Sequence, residues 1–315
     1  MSSTNFVDFS LRQNKSIERL IVFDGLRKTI RELNLEDIVY VGLGSVWFTD
    51  FGLAHHLLSI ETMISIEQDD VIFRRAQFNQ PFRTVEVILG ESAKVIPDLL
   101  TRAFLRDRPW IVWLDYDKKI DETRLAELRN LVKTLPPNST LIVTCSARLT
   151  HYGKKPERVA VLRELFGDVL DERVSTEDVE TEVGLMRVLA STLSRYLKAT
   201  ALQVARPGGL EVAFALTYRD GTPMVTVGGM MPSPDNVEAC TNCIADSSWR
   251  GLVERPIITP PLTAKEVAFL QAQLPRSGSI TRAEVQAMGF DLEEDQIESY
   301  VEHYLLYPAF AQISR

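Results

Sequence analysis

The sequence is poor in cysteine and histidine, and it contains no long hydrophobic run. Its 315 residues include three cysteines and four histidines. So few cysteines form no disulfide framework, which is typical of proteins from a reducing compartment. No apolar run approaches the ~20 residues that cross a bilayer, and the first residues lack the pattern of a signal peptide. We therefore expect a cytoplasmic protein without a membrane partner.

The chain also has fewer basic than acidic residues. The chain has 35 Lys and Arg against 43 Asp and Glu, a formal net charge of −8. Because a protein that binds polyphosphate broadly presents a basic field, this charge does not indicate a nucleic-acid partner. Hydrophobic residues make up 45% of the chain, enough for the core of one large or two modest domains.

Several catalytic and metal-binding motifs are absent. There is no Gly-x-Ser-x-Gly, Walker or His-Glu-x-x-His pattern, which excludes the common hydrolase and phosphoryl-transfer classes. Cys240 and Cys243 supply half of a zinc site, and no second pair follows at a suitable spacing, so we interpret them as unpaired cysteines in a turn. His55 and His56 are adjacent on a predicted helix and point about 100° apart, so they cannot bind one metal.

The chain is organised around an apolar run, residues 38–41, that ends in Gly42-Leu43-Gly44-Ser45. This pattern predicts a buried parallel strand leading into a glycine turn, where backbone N–H groups can approach a ligand closely. No third glycine completes a Gly-x-Gly-x-x-Gly motif. A second strand-like run ends in Glu67, 25 residues after Gly42. A carboxylate at that distance is placed to accept hydrogen bonds from ribose hydroxyls, although it could instead cap the next helix.

The later apolar runs predict the rest of the sheet. Three more runs alternate with helical patterns, and each ends in polar residues: Gly90-Glu91-Ser92, Asp115-Tyr116-Asp117 and Thr144-Cys145. Asp220-Gly221 then joins two β-rich runs, a strong hairpin signal. The sequence predicts an α/β fold with a seven-stranded, mostly parallel, doubly wound sheet and a terminal antiparallel hairpin.

At these residues the chain resembles the class I S-adenosylmethionine-dependent methyltransferases, in particular the small-molecule O-methyltransferases. The similarity covers about residues 38–230 and rests on Ser65-Ile66-Glu67, Gly90-Glu91-Ser92 and residues 114–118. The resemblance implies a Rossmann-like domain over residues 38–231 with S-adenosylmethionine as cofactor. It implies cofactor contacts at Gly42, Gly44, Ser45, Glu67, Gln68, Gly90, Glu91, Ser92 and Asp115. Two positions depart from the family pattern, Val46 in the first loop and Thr144-Cys145 where metal-dependent members carry Asp-Asn.

Asp115 and Lys118 are the predicted catalytic residues. A methyl acceptor needs a base or a dipole that raises its nucleophilicity, and polar groups at a strand tip can provide either. Asp115 could alternatively hold only the cofactor or cap a helix. We expect metal-independent methyl transfer to a hydroxyl or amine of a small or medium-sized acceptor. The alternative is a non-catalytic protein of the same fold that docks a partner.

The segments outside the sheet domain have separate predicted roles. Residues 1–37 form a helical lid, with a helix over residues 17–33 capped by Ser16. Arg12, Lys15 and Arg19 near its start are interpreted as a solvated charged face, the alternative being an anion or carboxylate contact. Residues 232–262 are a proline-bounded, loop-rich linker, and residues 263–315 form three short helices that serve as a homodimer or partner interface. Acceptor selection is assigned to residues 6–33 and 151–207.

Overall fold

A computed structural model describes residues 12–44 and 46–308 of the chain. Seven strands in it form one sheet in the order β3-β2-β1-β4-β5-β7-β6. The strands are β1 (Val39–Leu43), β2 (Thr62–Glu67), β3 (Val85–Leu89), β4 (Trp110–Asp115), β5 (Ser139–Ser146), β6 (Glu211–Arg219) and β7 (Pro223–Met231). Strands β1 to β5 are parallel, and β7 lies antiparallel between β5 and β6. The predicted fold, including its terminal hairpin, is confirmed.

Helices cover both faces of the sheet. They are α1 (Gln13–Glu32), α2 (Thr49–Leu58), α3 (Asp70–Phe78), α4 (Ser92–Leu100), α5 (Glu122–Thr134), α6 (Arg158–Phe166), α7 (Glu182–Gln203), α8 (Val237–Ala245), α9 (Ala264–Gln271), α10 (Arg282–Ala287) and α11 (Glu294–His303). Side chains alternate along each strand, so Val39 and Val41 pack under α5 and α7 while Tyr40 packs with α1 and α2. Within the described ranges, no helix combines the length and apolar character needed to cross a membrane.

Helix α1 begins earlier than predicted. It starts at Gln13, and its N-cap residue Arg12 makes no side-chain capping bond, so the predicted cap at Ser16 is wrong. The first turn is capped instead by Asp220 in the β6–β7 turn. The backbone N–H groups of Asn14 and Lys15 donate to the Asp220 carboxylate at 3.3 and 2.7 Å. The start of α1 is therefore set by a residue about two hundred positions away in the chain.

The middle of α1 packs tightly on the sheet. Ile17, Ile21 and Leu26 are buried. Gly25 allows the close approach to β6, because a Cβ at this position would lie 2.7 Å from the Phe214 ring. Helix α1 is thus a structural layer of the sheet domain.

Residues 232–262 contain regular structure that the sequence did not predict. Helix α8 lies within them, and Cys240 on it is fully buried. The chain then runs beside β6, where Ala215 N–H donates to Gly251 O and Ile257 N–H donates to Thr217 O, both at 2.7 Å. This pairing covers the edge strand of the sheet, which would otherwise present unpaired backbone groups.

The three C-terminal helices build a small core of their own. The predicted capping box of Thr263 and Glu266 is present. Leu270, Val285 and Ile297 are buried together. Leu305, by contrast, is 69% exposed, and the predicted interface role of these helices stays a prediction. The helical unit is joined to the segment beside β6 by hydrogen bonds from Ile258 N–H to Ser299 Oγ (3.0 Å) and from Tyr307 Oη–H to Pro260 O (2.9 Å).

Replacing Asp220 with alanine is expected to destabilise the protein by about 1 to 2 kcal/mol, because the first backbone N–H groups of α1 lose their cap. The free energy of unfolding from urea denaturation measures the effect. Asp168→Ala, a change of the same type at an exposed position, is the control. Equal stability of the two variants would contradict the capping role of Asp220.

Candidate functional site

A cavity of about 1040 Å³ opens at the carboxyl ends of the parallel strands. It lies beside β1 and β4, the neighbouring strands whose connections run in opposite directions across the sheet. This switch point is where open α/β sheets bind ligands. Typical ligand pockets have volumes of about 300 to 1,000 Å³, so the cavity has room for a nucleoside and a second small molecule.

Glu67, at the end of β2, places in this cavity a carboxylate with an oxygen that has no hydrogen-bond partner among the described residues. This oxygen is Oε1, and the residue is 8% exposed. Position 44 must be glycine here, because a Cβ would lie 2.6 Å from Glu67 Oε1 and 2.5 Å from Ser65 Oγ. Burial, and secondarily the charge of Asp69, raises the pKa of Glu67 to about 8. The carboxyl group is therefore a buried acceptor that lacks a donor.

Most of the predicted cofactor-contacting and catalytic residues line this one cavity. They are Gly44, Glu67, Gln68, Gly90, Glu91, Ser92, Asp115 and Lys118. Gly90 N–H donates to Glu67 O at 2.7 Å and joins the tips of β3 and β2. Gly42 is not among the lining residues, because it is buried in β1 where a Cβ would contact Tyr40 and Phe51. Ser45 lies outside the described residues.

Asp115 is held by a lysine from α1. Lys15 is 3% exposed, and its Nζ lies 2.8 Å from Asp115 Oδ2 and 3.4 Å from Glu18 Oε2. The ammonium group also lies over the rings of Trp113 and Tyr218, at 5.0 and 5.3 Å from their centroids. Burial alone would lower the pKa of Lys15, but the neighbouring carboxylates, Asp115 first, outweigh it and raise the pKa. Lys15 therefore stays protonated and cannot act as a base.

The interpretation of Arg12, Lys15 and Arg19 as a solvated face is wrong for the two residues that are buried. Lys15 contacts carboxylates, as the alternative predicted. Arg19 is 6% exposed, and its Nε lies 2.5 Å from Asp50 Oδ1 at the start of α2. Arg12, Lys15, Arg19 and Asp50 all line the cavity. The first turns of α1 thus form one of its walls.

A buried chain of hydrogen bonds anchors this wall to the sheet. Thr226 Oγ1 donates to Glu18 Oε1 at 2.6 Å, Thr144 and Thr226 share a hydrogen bond of 2.8 Å, and Trp113 Nε1 donates to Thr144 Oγ1 at 3.0 Å. Burial raises the pKa of Glu18. Asp115 is therefore the main counter-charge of Lys15, in agreement with the shorter of the two distances.

His151 is a cavity-lining residue that sequence reasoning missed. It lies in a short 3-10 helix after β5, and its Nδ1 is buried without a hydrogen-bond partner in the described part of the chain. Burial, together with the charges of Arg148 and Lys119, lowers its pKa against the opposing effect of Asp117. The imidazole is neutral at pH 7. Nothing in the local sequence distinguishes His151. It is the first residue of the segment 151–207, to which acceptor selection is assigned above.

The remaining metal-ligand candidates do not converge on the cavity. In the ranges 12–44 and 46–308, no group of three His, Cys, Asp or Glu side chains is placed to hold a metal ion. Cys240 and Cys243 are free thiols on helix α8, not in the predicted turn, and burial raises the pKa of Cys240 to about 12. His55 and His56 pack against the Phe82 ring, with centroids at 4.3 and 5.6 Å.

The solved structures that match this chain share little of its sequence. The matches include a "probable spermidine synthase" from Corynebacterium glutamicum, with 15% identity and a TM-score of 0.36 over 53% of this chain and 58% of that one. Trm1 from Pyrococcus horikoshii in complex with S-adenosyl-L-methionine has 14% identity and a TM-score of 0.41, over 70% and 57%. A DUF574 family protein from Streptomyces avermitilis has 13% identity and a TM-score of 0.38, over 69% and 83%. The chain thus spans little more than half of the first two structures.

The family assignment rests on a match over nearly the whole chain. A search of curated proteins found no match. A family model described as "Putative O-methyltransferase" matches residues 7–315, which include the sheet, the cavity wall from α1 and the C-terminal helices. The chain therefore belongs to this family.

Proposed function

We propose that the protein transfers a methyl group from S-adenosylmethionine to a hydroxyl oxygen of a small or medium-sized acceptor. The observation that carries the proposal is the buried, unpartnered carboxyl oxygen of Glu67 at the tip of β2. Its place beside Gly44 suits a ribose, because a carboxylate can accept hydrogen bonds from both ribose hydroxyls. The family description supports transfer to oxygen over transfer to nitrogen.

The cavity offers a second acceptor that suits the adenine end of this cofactor. Glu127 lines the cavity and is 9% exposed, and its Oε1 has no hydrogen-bond partner in the described ranges. Its other carboxyl oxygen accepts a hydrogen bond from Tyr116 Oη at 2.8 Å. This oxygen can accept a hydrogen bond from a purine amino group. When bound, S-adenosylmethionine supplies an electrophilic methyl group on a positively charged sulfur.

Asp115 lies on the acceptor side of the cavity, where it orients the acceptor hydroxyl. Its carboxylate is paired with Lys15, which fixes the direction of its oxygens. A fixed carboxylate can accept a hydrogen bond from the acceptor hydroxyl and orient the oxygen toward the methyl group. Lys118 is exposed at the same wall and can contact the acceptor directly. In this reaction the side chains of the chain orient the acceptor without a metal ion.

Replacing Glu67 with glutamine is expected to weaken binding of S-adenosylhomocysteine by about 10- to 100-fold, because hydrogen bonds to a charged group contribute about 1.5 to 3 kcal/mol. Isothermal titration calorimetry on the purified protein measures the dissociation constant. Glu86→Gln is the matched control, since Glu86 lies on the neighbouring strand and pairs with Arg102 outside the cavity. Equal affinity of the two variants would contradict the role of Glu67. No binding by the unchanged protein would contradict the cofactor assignment.

Binding of the ribose should depend on pH through Glu67. Because burial raises the pKa of Glu67 to about 8 in the free protein, a ligand that needs the carboxylate must displace a proton below that pH. The affinity for adenosine, which has no group that titrates near neutral pH, is expected to rise by up to about tenfold per pH unit from about pH 6 to about pH 8 and then level off. In Glu67→Gln the slope should vanish. A flat profile in the unchanged protein would mean that the ionised form of Glu67 is not required.

A further inference from the structure

One end of the cavity carries basic side chains that form no ion pair with the carboxylates in the described ranges. Lys118 follows β4, Arg148 and His151 follow β5, and all three line the cavity. We call these three residues the basic wall. Arg148 Nη2 donates to Thr222 Oγ1 at 3.0 Å, which directs the guanidinium toward the β6–β7 turn. In the described ranges, no Asp or Glu lies within ion-pair distance of Lys118 or Arg148.

Most of the neighbouring acids are already engaged. Asp115 pairs with Lys15, Asp121 pairs with Arg124, and Asp220 accepts the first backbone N–H groups of α1. Asp117 is exposed at the same rim and faces His151. In a chain with a formal net charge of −8, a cavity wall with two unpaired cations stands out. It suits a ligand that brings negative charge of its own.

His151 adds a proton acceptor to this wall. Its buried Nδ1 has no partner in the described part of the chain, and the ring faces Arg148, Lys119 and Asp117. Protonation would add a third positive charge to the basic wall. A bound anion would offset that charge, so proton uptake by His151 and anion binding favour each other.

We propose that the acceptor carries a carboxylate or phosphate group beside its hydroxyl, that Lys118 and Arg148 bind this anionic group, and that His151 removes the hydroxyl proton. The inference rests on the proposed methyl transfer and adds the chemical class of the acceptor. The acceptor oxygen forms a bond to the methyl carbon as the carbon–sulfur bond breaks. The bonding electron pair stays on sulfur, which becomes a neutral thioether. The hydroxyl proton passes to His151 and is later lost to water.

The acceptor class can be tested with the full chain and S-adenosylmethionine labelled in its methyl group. A small-molecule cell extract is separated by anion-exchange chromatography, and each fraction is incubated with protein and labelled cofactor. The label is expected in products from the retained, anionic fraction. Products from the unretained fraction alone would overturn the anionic acceptor while supporting methyl transfer. No labelled product from either fraction, with S-adenosylhomocysteine binding intact, would contradict methyl transfer itself and this inference with it.

Variants of the basic wall separate its three roles. With the acceptor identified from the first test, Arg148→Gln and Lys118→Gln are each expected to raise the KM for that acceptor at least about tenfold with little change in kcat, since a charge-assisted contact contributes about 1.5 to 3 kcal/mol. Arg129→Gln and Lys133→Gln, exposed on α5 away from the cavity, are the controls and should match the unchanged protein. Unchanged KM values in both wall variants would overturn the anion contacts.

The role of His151 has a separate readout in the pH profile. His151→Gln is expected to lower kcat by about 10²- to 10⁴-fold, the usual contribution of a positioned base. At saturating S-adenosylmethionine, where the titration of Glu67 no longer enters, kcat/KM for the acceptor should fall below the pKa of His151 in the unchanged protein, and this acid limb should be missing from the variant. A variant with normal kcat and an unchanged acid limb would show that His151 does not accept the proton.

Discussion

The ion pair between Lys15 and Asp115 is the interaction on which the site depends. It joins the first turn of α1 to the tip of β4, and both partners belong to the cavity wall. Removing two charges from water is expensive, and here the surroundings offset the cost with two aromatic rings and a second carboxylate on Glu18. Removal of Lys15 would leave Asp115 without an ion-pair partner among the described residues, and removal of Asp115 would leave Lys15 with only the more distant carboxylate of Glu18. The pair therefore fixes α1 as part of the site.

This constraint divides the cavity into two chemical regions. At the β2 end, Glu67 keeps a free acceptor oxygen and a raised pKa, conditions that suit a neutral ribose with two hydroxyl donors. At the other end, Lys15 has already neutralised Asp115, so the unpaired charges there are mainly those of Lys118 and Arg148. The acidic and polar end would thus bind the cofactor. The basic end would bind an acceptor that carries negative charge.

Local sequence patterns were enough for the sheet and for most of the cavity wall at the strand tips. Apolar runs that end in glycine or acid predicted five parallel strands, and Asp220-Gly221 predicted the hairpin, because both signals depend on neighbouring residues. The burial of Lys15 could not be predicted in this way. Its partner Asp115 lies a hundred positions along the chain, and the Asp220 cap of α1 lies twice as far. Local rules assign a lysine near a helix start to solvent, and only tertiary packing reverses that assignment.

A double-mutant cycle between Lys15 and Asp115 tests the central claim most directly. The free energies of unfolding of Lys15→Met, Asp115→Asn and the double variant are compared with that of the unchanged protein by urea denaturation. If the ion pair holds α1 to the sheet, each single change should cost about 3 kcal/mol or more, and the double change should cost no more than either. The coupling energy should then be about 3 kcal/mol or more. Costs that add to within about 0.5 kcal/mol would show that the two side chains are not coupled, and would contradict the account of α1 as a wall fixed by this pair.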